Sequence, residues 1–374
     1  MRSKPILLSL GAALILGAAA LAQNPTKDII KTTFEDGDGG WMTFGGEGKV
    51  SVTGDAQNVK EGKTALRYDY PIAKGKMSFL AHGVPDGGLA GMKSIRFWIK
   101  TDYATPIFVT VNEKEGGRWN SAFTAPEGVW QRVELTPAEF DPSDGPDDPK
   151  DANGKLDLDN VDGFGLADIG QMFAQMENNE LFSKILGLKP GPHTLYLDDF
   201  LISEEALPNE ADQAADAVRI DSFKRPQTAW AGLFGARVSN VEAKPLNARG
   251  LQASYRQAPD AYPGAARSVK RGSLAGTTKL VFDAASVRPA ELMVQVEEVG
   301  GGKYNGQVSV EGGSTAKVKE LVFTEMKAAD DSKDTNTKLD LDQIKQILIL
   351  DTAGPINQVD QENTLWLGNL RAVK

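Results

Sequence analysis

The chain has 374 residues, which is enough for about two domains of ordinary size, and its formal net charge at pH 7 is −10. It has no cysteine and only two histidines, His82 and His193, which excludes disulfides, thiol nucleophiles and zinc sites made of several histidines. The excess of negative charge argues against nucleic acid as a partner, because the phosphates would be repelled.

The first 22 residues have the pattern of a secretory signal peptide. Arg2 and Lys4 give a positive start, an apolar stretch follows at 6–21, and small residues at 20–22 fit a cleavage site before Gln23. The apolar stretch falls short of the ~20 residues that a membrane-spanning helix needs. We therefore predict a secreted or periplasmic protein with no membrane span.

Three stretches of the following segment alternate apolar and polar residues, at 95–100, 107–112 and 129–135. Alternation with a period of two is typical of strands that bury one face. Frequent Gly, Pro and Asp between short strands favour an antiparallel β-sandwich or jelly roll. Between 170 and 191, apolar residues recur at helical spacing, which indicates a short helix.

The chain contains two diverged copies of one unit. The decamers KDANGKLDLD (150–159) and KDTNTKLDLD (333–342) share eight of ten residues. Further matches occur in the same order in both halves: LAGMKSIRFWI (89–99) with LAGTTKLVFDA (274–284), GGRWN (116–120) with GGKYN (301–305), and LYLDDFLI (195–202) with LWLGNLRA (365–372). The separation falls from 183–185 positions to 170 at the last match, so the first copy has 13 extra residues, within 170–191.

This duplication predicts an all-β chain of two tandem antiparallel jelly-roll β-sandwiches. The first would span residues 23–203 and the second residues 218–374, joined by an acidic linker at 204–217. The second copy has diverged further from the common pattern and is expected to act as a spacer, a dimer surface or a partner-binding unit.

The two halves differ in charge, with −15 over residues 23–218 and +3 over residues 219–374. In the second half Arg267, Lys270 and Arg271 lie close together in sequence. They form either a solvated surface, a contact with the acidic first half, or a site for an anionic ligand.

The acidic loop at 141–159 has seven Asp and two Lys. An EF-hand calcium loop needs acids at its first positions, a glycine in the middle and a bidentate Glu at its end. With Asp151 as the second ligand, the first and last ligand positions fall on Pro149 and Asn160, and Thr337 replaces the glycine in the second copy. We therefore favour a scaffold loop, in which Asp and Asn bond to nearby backbone groups, over a metal site.

Four motifs of the first copy together resemble a known family. They are an opening Phe34-Glu35-Asp36, Trp130 at the start of a strand that leads into TPAEF, LDLDNV at 156–161, and the closing LYLDDF. The chain resembles the galactose-binding-like β-sandwich, in particular the family-11-type carbohydrate-binding modules and the related complex I intermediate-associated protein family. The second copy carries about half of these motifs. The resemblance implies the sandwich fold, but these motifs specify the ligand poorly, because one fold can have many functions.

Sandwiches of this type often hold a structural calcium ion between the first and last strands. The resemblance therefore implies one Ca²⁺ in the first domain, held by carboxylates of the opening and closing strands: Glu35, Asp36, Asp198 and Asp199. In the second copy Lys224 and Arg225 stand in place of the opening acids, so no ion is expected there. The alternative is that these acids are ordinary charged residues of exposed strand edges.

Sugars are bound by aromatic faces together with hydrogen-bonding side chains. Trp98 lies on the polar face of its strand beside Arg96, and Asp283 replaces it in the second copy, so the fold does not require it. A second group follows a Gly-Gly turn: Arg118, Trp119 and Asn120. We predict these five residues as the ligand site. The alternatives are that Trp98 packs under a loop or against the other domain, and that Trp119 belongs to the scaffold.

No catalytic motif is present: the chain has no Gly-x-Ser-x-Gly elbow, and GFGLAD at 163–168 lacks the third glycine of a dinucleotide-binding pattern. We therefore predict an exported, non-catalytic binding protein whose first domain binds polysaccharide or a cell-envelope glycan. One alternative is an envelope protein that binds protein partners, as the complex I intermediate-associated family implies. The other is a glycoside hydrolase with an unrecognised pair of carboxylates.

Overall fold

The computed structural model describes residues 27–143, 148–176, 179–208, 216–313 and 315–374. The predicted signal peptide and the middle of the predicted linker lie outside this part of the chain. No helix within it is long and apolar enough to cross a membrane. The described residues form four antiparallel β-sheets that pack as two sandwiches, so the predicted all-β fold is confirmed.

The described first half contains twelve strands and two short helices. The strands are β1 (Asp28–Thr32), β2 (Trp41–Phe44), β3 (Lys49–Thr53), β4 (Ala65–Ile72), β5 (Phe79–Gly83), β6 (Ser94–Thr101), β7 (Thr105–Glu113), β8 (Arg118–Ala125), β9 (Gln131–Leu135), β10 (Asp141–Pro142), β11 (Val161–Asp168) and β12 (Gly191–Ser203). The helices are α1 (Ile169–Phe173) and α2 (Asn179–Leu186), where the sequence predicted a single short helix.

These strands form two facing sheets of six strands each. In sheet I the order is β3-β4-β12-β6-β9, with β1 also paired to β12, and in sheet II it is β10-β8-β7-β11-β5-β2. Aromatic rings fill the space between the sheets: the ring centroids of Phe97 and Phe200 are 5.6 Å apart, and those of Trp41 and Phe200 are 4.9 Å apart. Burial of such large apolar rings is the main source of stability in a chain without disulfides.

The described second half contains twelve strands and one helix. They are β13 (Ala217–Asp221), β14 (Ala231–Leu233), β15 (Arg237–Ala243), β16 (Ala248–Gln257), β17 (Gly264–Ser268), β18 (Lys279–Ser286), β19 (Ala290–Glu298), β20 (Lys303–Val310), β21 (Lys317–Val322), β22 (Lys327–Ala328), β23 (Ile344–Asp351), α3 (Ala353–Asn357) and β24 (Gln361–Val373). Sheet III has the order β15-β16-β24-β18-β21, with β13 on β24, and sheet IV the order β14-β17-β23-β19-β20-β22. Strand for strand, this is the order of sheets I and II.

The two copies also share unusual backbone conformations. Phe34 (φ 64°) and Phe223 (φ 58°) both adopt the left-handed conformation after the opening strand. Asp199 (φ 46°) and Asn369 (φ 49°) do so within the closing strand. Residues other than glycine rarely adopt this conformation. Matching exceptions at matching positions therefore indicate one duplicated unit, as the sequence predicted.

Helix α2 docks the first sandwich onto the second. It lies in the segment where the sequence comparison placed the extra residues of the first copy. Ile185 and Leu186 of α2 pack against apolar side chains of the second sandwich: Leu233, Phe234, Ala266, Met293, Leu348 and Leu350. The amide of Phe234 also donates a hydrogen bond to the carbonyl of Ile185 (2.7 Å). The insertion therefore makes an inter-domain contact, which the sequence did not predict.

A second contact between the sandwiches is polar. The buried side chain of Gln227 accepts a hydrogen bond from the amide of Glu134 (3.1 Å) and donates one to its carbonyl (2.6 Å). The amide of Thr124 donates to the carbonyl of Thr228 (2.9 Å), and its hydroxyl donates to the carbonyl of Trp230 (2.8 Å). These bonds satisfy backbone groups at the edge of the first sandwich. The two contacts leave a cleft between sheet II and the second sandwich.

Candidate ligand-binding cleft

A cleft of about 1500 Å³ lies between the outer face of sheet II and the second sandwich. It exceeds the ~300–1,000 Å³ of a typical small-molecule pocket, so it has room for an extended ligand. Strands of sheet II line one side of it. Residues of β13, β17 and the loops that follow these two strands line the other side.

The floor of the cleft is made of residues with small side chains. In β11, Gly163, Gly165 and Ala167 line the cleft and alternate with Phe164 and Leu166; Gly163 is half-buried, and Gly165 and Ala167 are buried at the bottom of the cleft. The neighbouring strand β5 adds Ala81 opposite Gly165 and Gly83 opposite Gly163, and beyond β7 the small residue Ala122 of β8 lies opposite Phe108. Because none of these small side chains extends beyond Cβ, the surface of the sheet forms a trough.

The equivalent face of the second sandwich is filled. Strand β23 matches β11 residue for residue at a separation of 183 positions, and Gln346, Leu348 and Leu350 replace the three small residues. Leu348 and Leu350 take part in the apolar contact with helix α2. Within the described residues, the trough is therefore a property of the first sandwich, and the second sandwich uses the same face to dock.

One end of the trough is apolar. Phe108 of β7 and Phe79 of β5 are half-buried, and Met42 and Phe44 of the edge strand β2 are 58% and 71% exposed. All four side chains line the cleft. Large apolar side chains that gather on an exposed surface mark a binding site, because their contact with water is unfavourable. Aromatic faces of this kind bind the apolar face of a sugar ring.

The other end of the trough carries hydrogen-bonding side chains. Arg118 donates to the Oδ1 atom of Asn112 (3.2 Å) and to Asp148 (2.7 Å), which holds its guanidinium in place. Asn120 lies opposite Asp141 in the register of β8 and β10. The side-chain amide of Asn120 has no hydrogen-bond partner within the described part of the chain. These groups are available to bind the hydroxyls of a ligand.

The second sandwich contributes a wall rich in cations. The Lys and Arg residues that line the cleft on this side are Arg219, Arg225, Arg267, Lys270, Arg271 and Lys345. Arg225 pairs with Glu139 of the first sandwich (3.8 Å). Burial raises the pKa of Asp141, and Lys270 and Arg267 partly oppose that rise. Charge attraction therefore acts between the two sandwiches, which was one of the alternatives for this basic group.

The five predicted ligand residues do not share one surface. Arg118 and Asn120 line the cleft, but Trp119 points into the core and is 3% exposed, because neighbours in a strand face opposite sides. Its ring therefore offers no face to a ligand, in keeping with the scaffold alternative. Arg96 and Trp98 lie in β6 on the outer face of sheet I, on the far side of the sandwich from the cleft.

Trp98 is half-buried beside two cations. The Nζ atom of Lys60 is 4.4 Å from the centroid of its ring, and the guanidinium carbon of Arg132 is 5.5 Å from it. Such cation–π contacts contribute about 0.5–1 kcal/mol at exposed sites. Arg96, the second residue predicted on this face, forms an ion pair with Glu205 at the start of the linker. This arrangement agrees with the alternative that Trp98 packs under a loop.

The four acids predicted to hold Ca²⁺ are not among the described carboxylates that gather in threes within 4.8 Å, and their role as ligands stays a prediction. Glu35 and Asp198 each accept two hydrogen bonds, of 2.7–3.1 Å, from backbone amides of the loop at 60–64. Asp199 pairs with an arginine of β9 (3.3 Å), and Asp36 is exposed. The first two carboxylates anchor this loop, whose amides would otherwise lack partners.

A different group of acids can hold a cation. Glu113, Asp151 and Asp157 each bring a carboxylate oxygen to within 4.8 Å of the others, and no other such group of three occurs among the described residues. Burial raises the pKa of Glu113, and the nearby charges of Asp151 and Asp157 raise it further. Several carboxylate oxygens gathered in this way are the ligands that Ca²⁺ prefers.

The loop that carries these acids has the same hydrogen bonds in both copies. Backbone amides donate to Glu113 and Asp151 over 2.7 and 3.0 Å, and to Glu298 and Asp334 over 2.6 and 2.9 Å. These bonds match the predicted scaffold role. The copies differ at Tyr304, whose hydroxyl donates to Asp334 and engages that carboxylate. The metal-like group of acids is confined to the first copy within the described residues.

The floor of the cleft was detectable in the sequence, not as a motif but as a difference in side-chain size between the two copies. Gly163, Gly165 and Ala167 alternate with large apolar residues, and the second copy has longer side chains at all three positions. A difference in side-chain size on the outer face of equivalent strands marks the surface that only one copy leaves open. For the cations across the cleft, the sequence showed that Arg267, Lys270 and Arg271 lie close together, but only tertiary structure places them at the cleft.

No protein-family model matches the chain, and no curated protein matches it significantly. Its neighbours among solved structures include carbohydrate-binding modules, among them the family 11 type that the motifs predicted. A family 11 module from Clostridium thermocellum, solved with a β-1,3-1,4-mixed-linked tetrasaccharide, has 21% identity and a TM-score of 0.35, over 43% of this chain and 97% of the module. The tandem CBM22-1–CBM22-2 pair of Xyn10C from Paenibacillus barcinonensis has 13% identity and a TM-score of 0.34, over 95% of this chain and 99% of that one.

Some neighbours are enzymes. An exo-β-agarase has 18% identity and a TM-score of 0.30, over 38% of this chain and 23% of the enzyme. Likenesses this low carry no function over to this chain, whose cleft has to be interpreted from its own residues. The resemblance to the complex I intermediate-associated family stays a prediction.

Proposed function

We propose that this protein is an exported, non-catalytic binding protein that holds a polysaccharide in the cleft beside sheet II. One observation carries the proposal: an open trough with a floor of small residues, aromatic and apolar side chains at one end, and amide and guanidinium groups at the other. Export, from the pattern of residues 1–22, and the domain boundaries 23–203 and 218–374 are parts of the same proposal.

The spacing of the trough suits a sugar chain. Outward residues that follow one another along a strand are ~7 Å apart. On β7, Phe108 is followed at this spacing by Thr110, which lies opposite Asn120, and then by Asn112, which lies opposite Arg118. A sugar ring stacked on Phe108 would place its hydroxyls, or those of the next unit, near the amides and the guanidinium.

Among the described residues, the acids of the cleft do not offer the pair that glycoside hydrolysis needs. That reaction uses two available carboxylates ~5–10 Å apart. Three of the four acids that line the cleft in the described chain are in ion pairs: Glu139 with Arg225, Asp148 with Arg118, and Asp221 with Arg267. Asp141 alone among the four has no ion pair within 4 Å, so we expect no release of reducing ends from any polysaccharide that binds.

Gly163→Gln is the sharpest test of the cleft. Gly163 has room for a side chain, since the nearest atom to an added Cβ is Asn112 Nδ2 at 3.6 Å, and the second copy has Gln at this position. The substitution fills the trough without straining the fold, so we expect binding to weaken about tenfold or more while stability is kept. Affinity gels with β-glucans, xylans, mannans, galactans and acidic polysaccharides measure the effect.

Gly54→Gln is the matched control, because Gly54 lies outside the cleft and an added Cβ would meet its nearest atom at 3.7 Å. It should migrate as the wild type does. If no polysaccharide retards the wild type, or if both variants bind as the wild type does, the cleft is not a polysaccharide site. Release of reducing ends would instead favour the hydrolase alternative.

We further propose that Glu113, Asp151 and Asp157 bind one Ca²⁺ ion. Three carboxylates this close repel one another, and a divalent cation would remove that repulsion. We expect the melting temperature of the protein to rise when Ca²⁺ is added after treatment with EGTA, because a ligand of the folded state stabilises it. Differential scanning calorimetry measures the shift.

Glu113→Gln distinguishes the effect of Ca²⁺ binding on stability from the effect of the hydrogen bond that Glu113 accepts from the loop. The amide oxygen of Gln can still accept the hydrogen bond from the backbone of Asp157, while the charge is lost. We expect this variant to lose the Ca²⁺-dependent shift and to melt in EGTA at or above the wild-type temperature. Glu298→Gln, at the equivalent position of the second copy, should keep the wild-type shift. A wild type whose melting does not respond to Ca²⁺ has no stabilising calcium site.

A further inference from the structure

The cleft has a charge opposite to that of the chain as a whole. Of its described lining residues, seven are Lys or Arg and four are Asp or Glu, whereas the whole chain carries −10. Three of the four acids are already paired with three of the cations. The other four cations lie on the wall that the second sandwich contributes, and one of them, Lys345, pairs with Glu297 (3.0 Å), so the remaining surplus of positive charge is smaller than the count alone indicates.

Two cations of this surplus have no carboxylate partner within the described part of the chain. Lys270 is exposed and forms no ion pair within 4 Å. Arg271 donates a hydrogen bond to the side-chain amide oxygen of Gln343, which is uncharged. Both follow β17 in a turn that is closed by a hydrogen bond from the amide of Ser273 to the carbonyl of Lys270 (3.0 Å). The turn therefore holds two positive charges that lack an ion pair within the described residues, with Asp141 of the first sandwich as the nearby carboxylate that acts on Lys270.

We propose that the cleft selects a polysaccharide that carries negative charges, and that Lys270 and Arg271 contact its acidic groups. This inference rests on the proposed function of the same cleft and adds the class of its ligand. A neutral glycan would cover these cations without compensating them, whereas a carboxylate or a sulfate would form charge-assisted hydrogen bonds with them. The planar guanidinium of Arg271 suits either acid, because both present two oxygens to its two N–H groups.

The net charge of the chain predicts how the binding of an acidic polysaccharide depends on salt. A chain of charge −10 repels a polyanion at long range, so any attraction has to come from the local field of the cleft. Fields of this kind are screened by salt over about 10 Å at ordinary ionic strength. Binding of an acidic polysaccharide should therefore weaken as salt is added, and binding of a neutral one should not.

The test is isothermal titration calorimetry with the mature protein at low and at high salt. Polygalacturonate is compared with its fully methyl-esterified form, and a sulfated galactan with its unsulfated parent, so that each acidic polymer has a neutral partner of the same backbone. We expect at least one acidic polymer to bind about tenfold or more tightly than its neutral partner, with an affinity that falls at high salt. The arm that binds shows whether the acid is a carboxylate or a sulfate.

A double variant assigns the effect to the two cations. Lys270→Gln with Arg271→Gln should lower the affinity for the acidic polymer about tenfold or more and should abolish its salt dependence. Lys327→Gln with Lys333→Gln removes the same charge from exposed positions of the second sandwich outside the cleft, and should bind as the wild type does.

The outcomes separate this inference from the proposed function. Equal binding of the acidic and neutral polymers, or an unchanged double variant, overturns the inference. If neutral polymers still bind and Gly163→Gln weakens that binding, the polysaccharide function stands without the selectivity. If no polymer of either kind binds, both proposals fail.

Discussion

Replacing Asp168 by Ala is expected to destabilise the first sandwich by about 3–5 kcal/mol. The carboxylate lies at the end of β11, is buried, and accepts hydrogen bonds from the hydroxyls of Tyr70 (2.7 Å), Tyr103 (2.6 Å) and Thr105 (2.8 Å) and from the amide of Gly170 (2.7 Å). Removing it leaves four buried donors without their acceptor, and each unsatisfied donor costs about 1–3 kcal/mol before the structure relaxes.

Urea unfolding and calorimetry measure this loss, which corresponds to a fall of about 2–4 °C in melting temperature per kcal/mol for a domain of this size. Asp162→Ala, at an exposed position of the same strand, is the matched control and should change stability by less than about 0.5 kcal/mol. In the second sandwich Asp351 accepts hydrogen bonds from Tyr255 (2.8 Å) and Gln257 (2.7 Å), so Asp351→Ala should have a similar effect there. A loss below about 1 kcal/mol for Asp168→Ala would show that the hydroxyls find other partners.

Replacing Ile185 by Asp is expected to loosen the docking of the two sandwiches, with the polar contact at Gln227 left in place, and to weaken polysaccharide binding about tenfold or more, equal to about 1.4 kcal/mol or more. Ile185 packs into the apolar contact between α2 and the second sandwich. A carboxylate at this half-buried position would lose part of its hydration without gaining a partner, whereas an undocked helix leaves it in water. Undocking removes the cationic wall from the cleft, although each sandwich keeps its own core.

Small-angle scattering should show a larger radius of gyration for Ile185→Asp, while the far-ultraviolet circular dichroism spectrum stays that of a β-protein. Lys184→Asp places the same residue at the exposed neighbouring position of the helix and should leave both scattering and binding close to wild type. If Ile185→Asp scatters as the wild type does and binds as tightly, α2 does not hold the two sandwiches together.

Much of the fold was predictable because its causes are local. Alternating residues such as Ile95, Phe97 and Ile99 have to face one side of a strand, and all three are buried in the structure. The duplication was equally visible, since matching loops need matching residues, as the decamers at 150–159 and 333–342 show. The docking role of α2 was not predictable, because apolar residues at helical spacing do not say which surface they meet.

The candidate site was predictable only in part. Arg118 and Asn120 were found because polar residues beside a turn are accessible, but the period of two that put them on one face put Trp119 on the other. The calcium prediction for Glu35 and Asp198 came from the family resemblance together with their carboxylates. Their partners are backbone amides of a loop distant in sequence, and nothing in the residue types could reveal that.

By itself the sequence determined the β-class, the duplicated unit and the position of the inserted helix, because burial patterns and internal matches are properties of the chain read in order. Only the tertiary structure decided where a ligand could lie. The trough of Gly163 and Gly165 becomes a cleft when α2 docks the second sandwich, which brings Lys270 and Arg271 to its rim. These residues belong to different copies, and the docked structure brings them to one cleft.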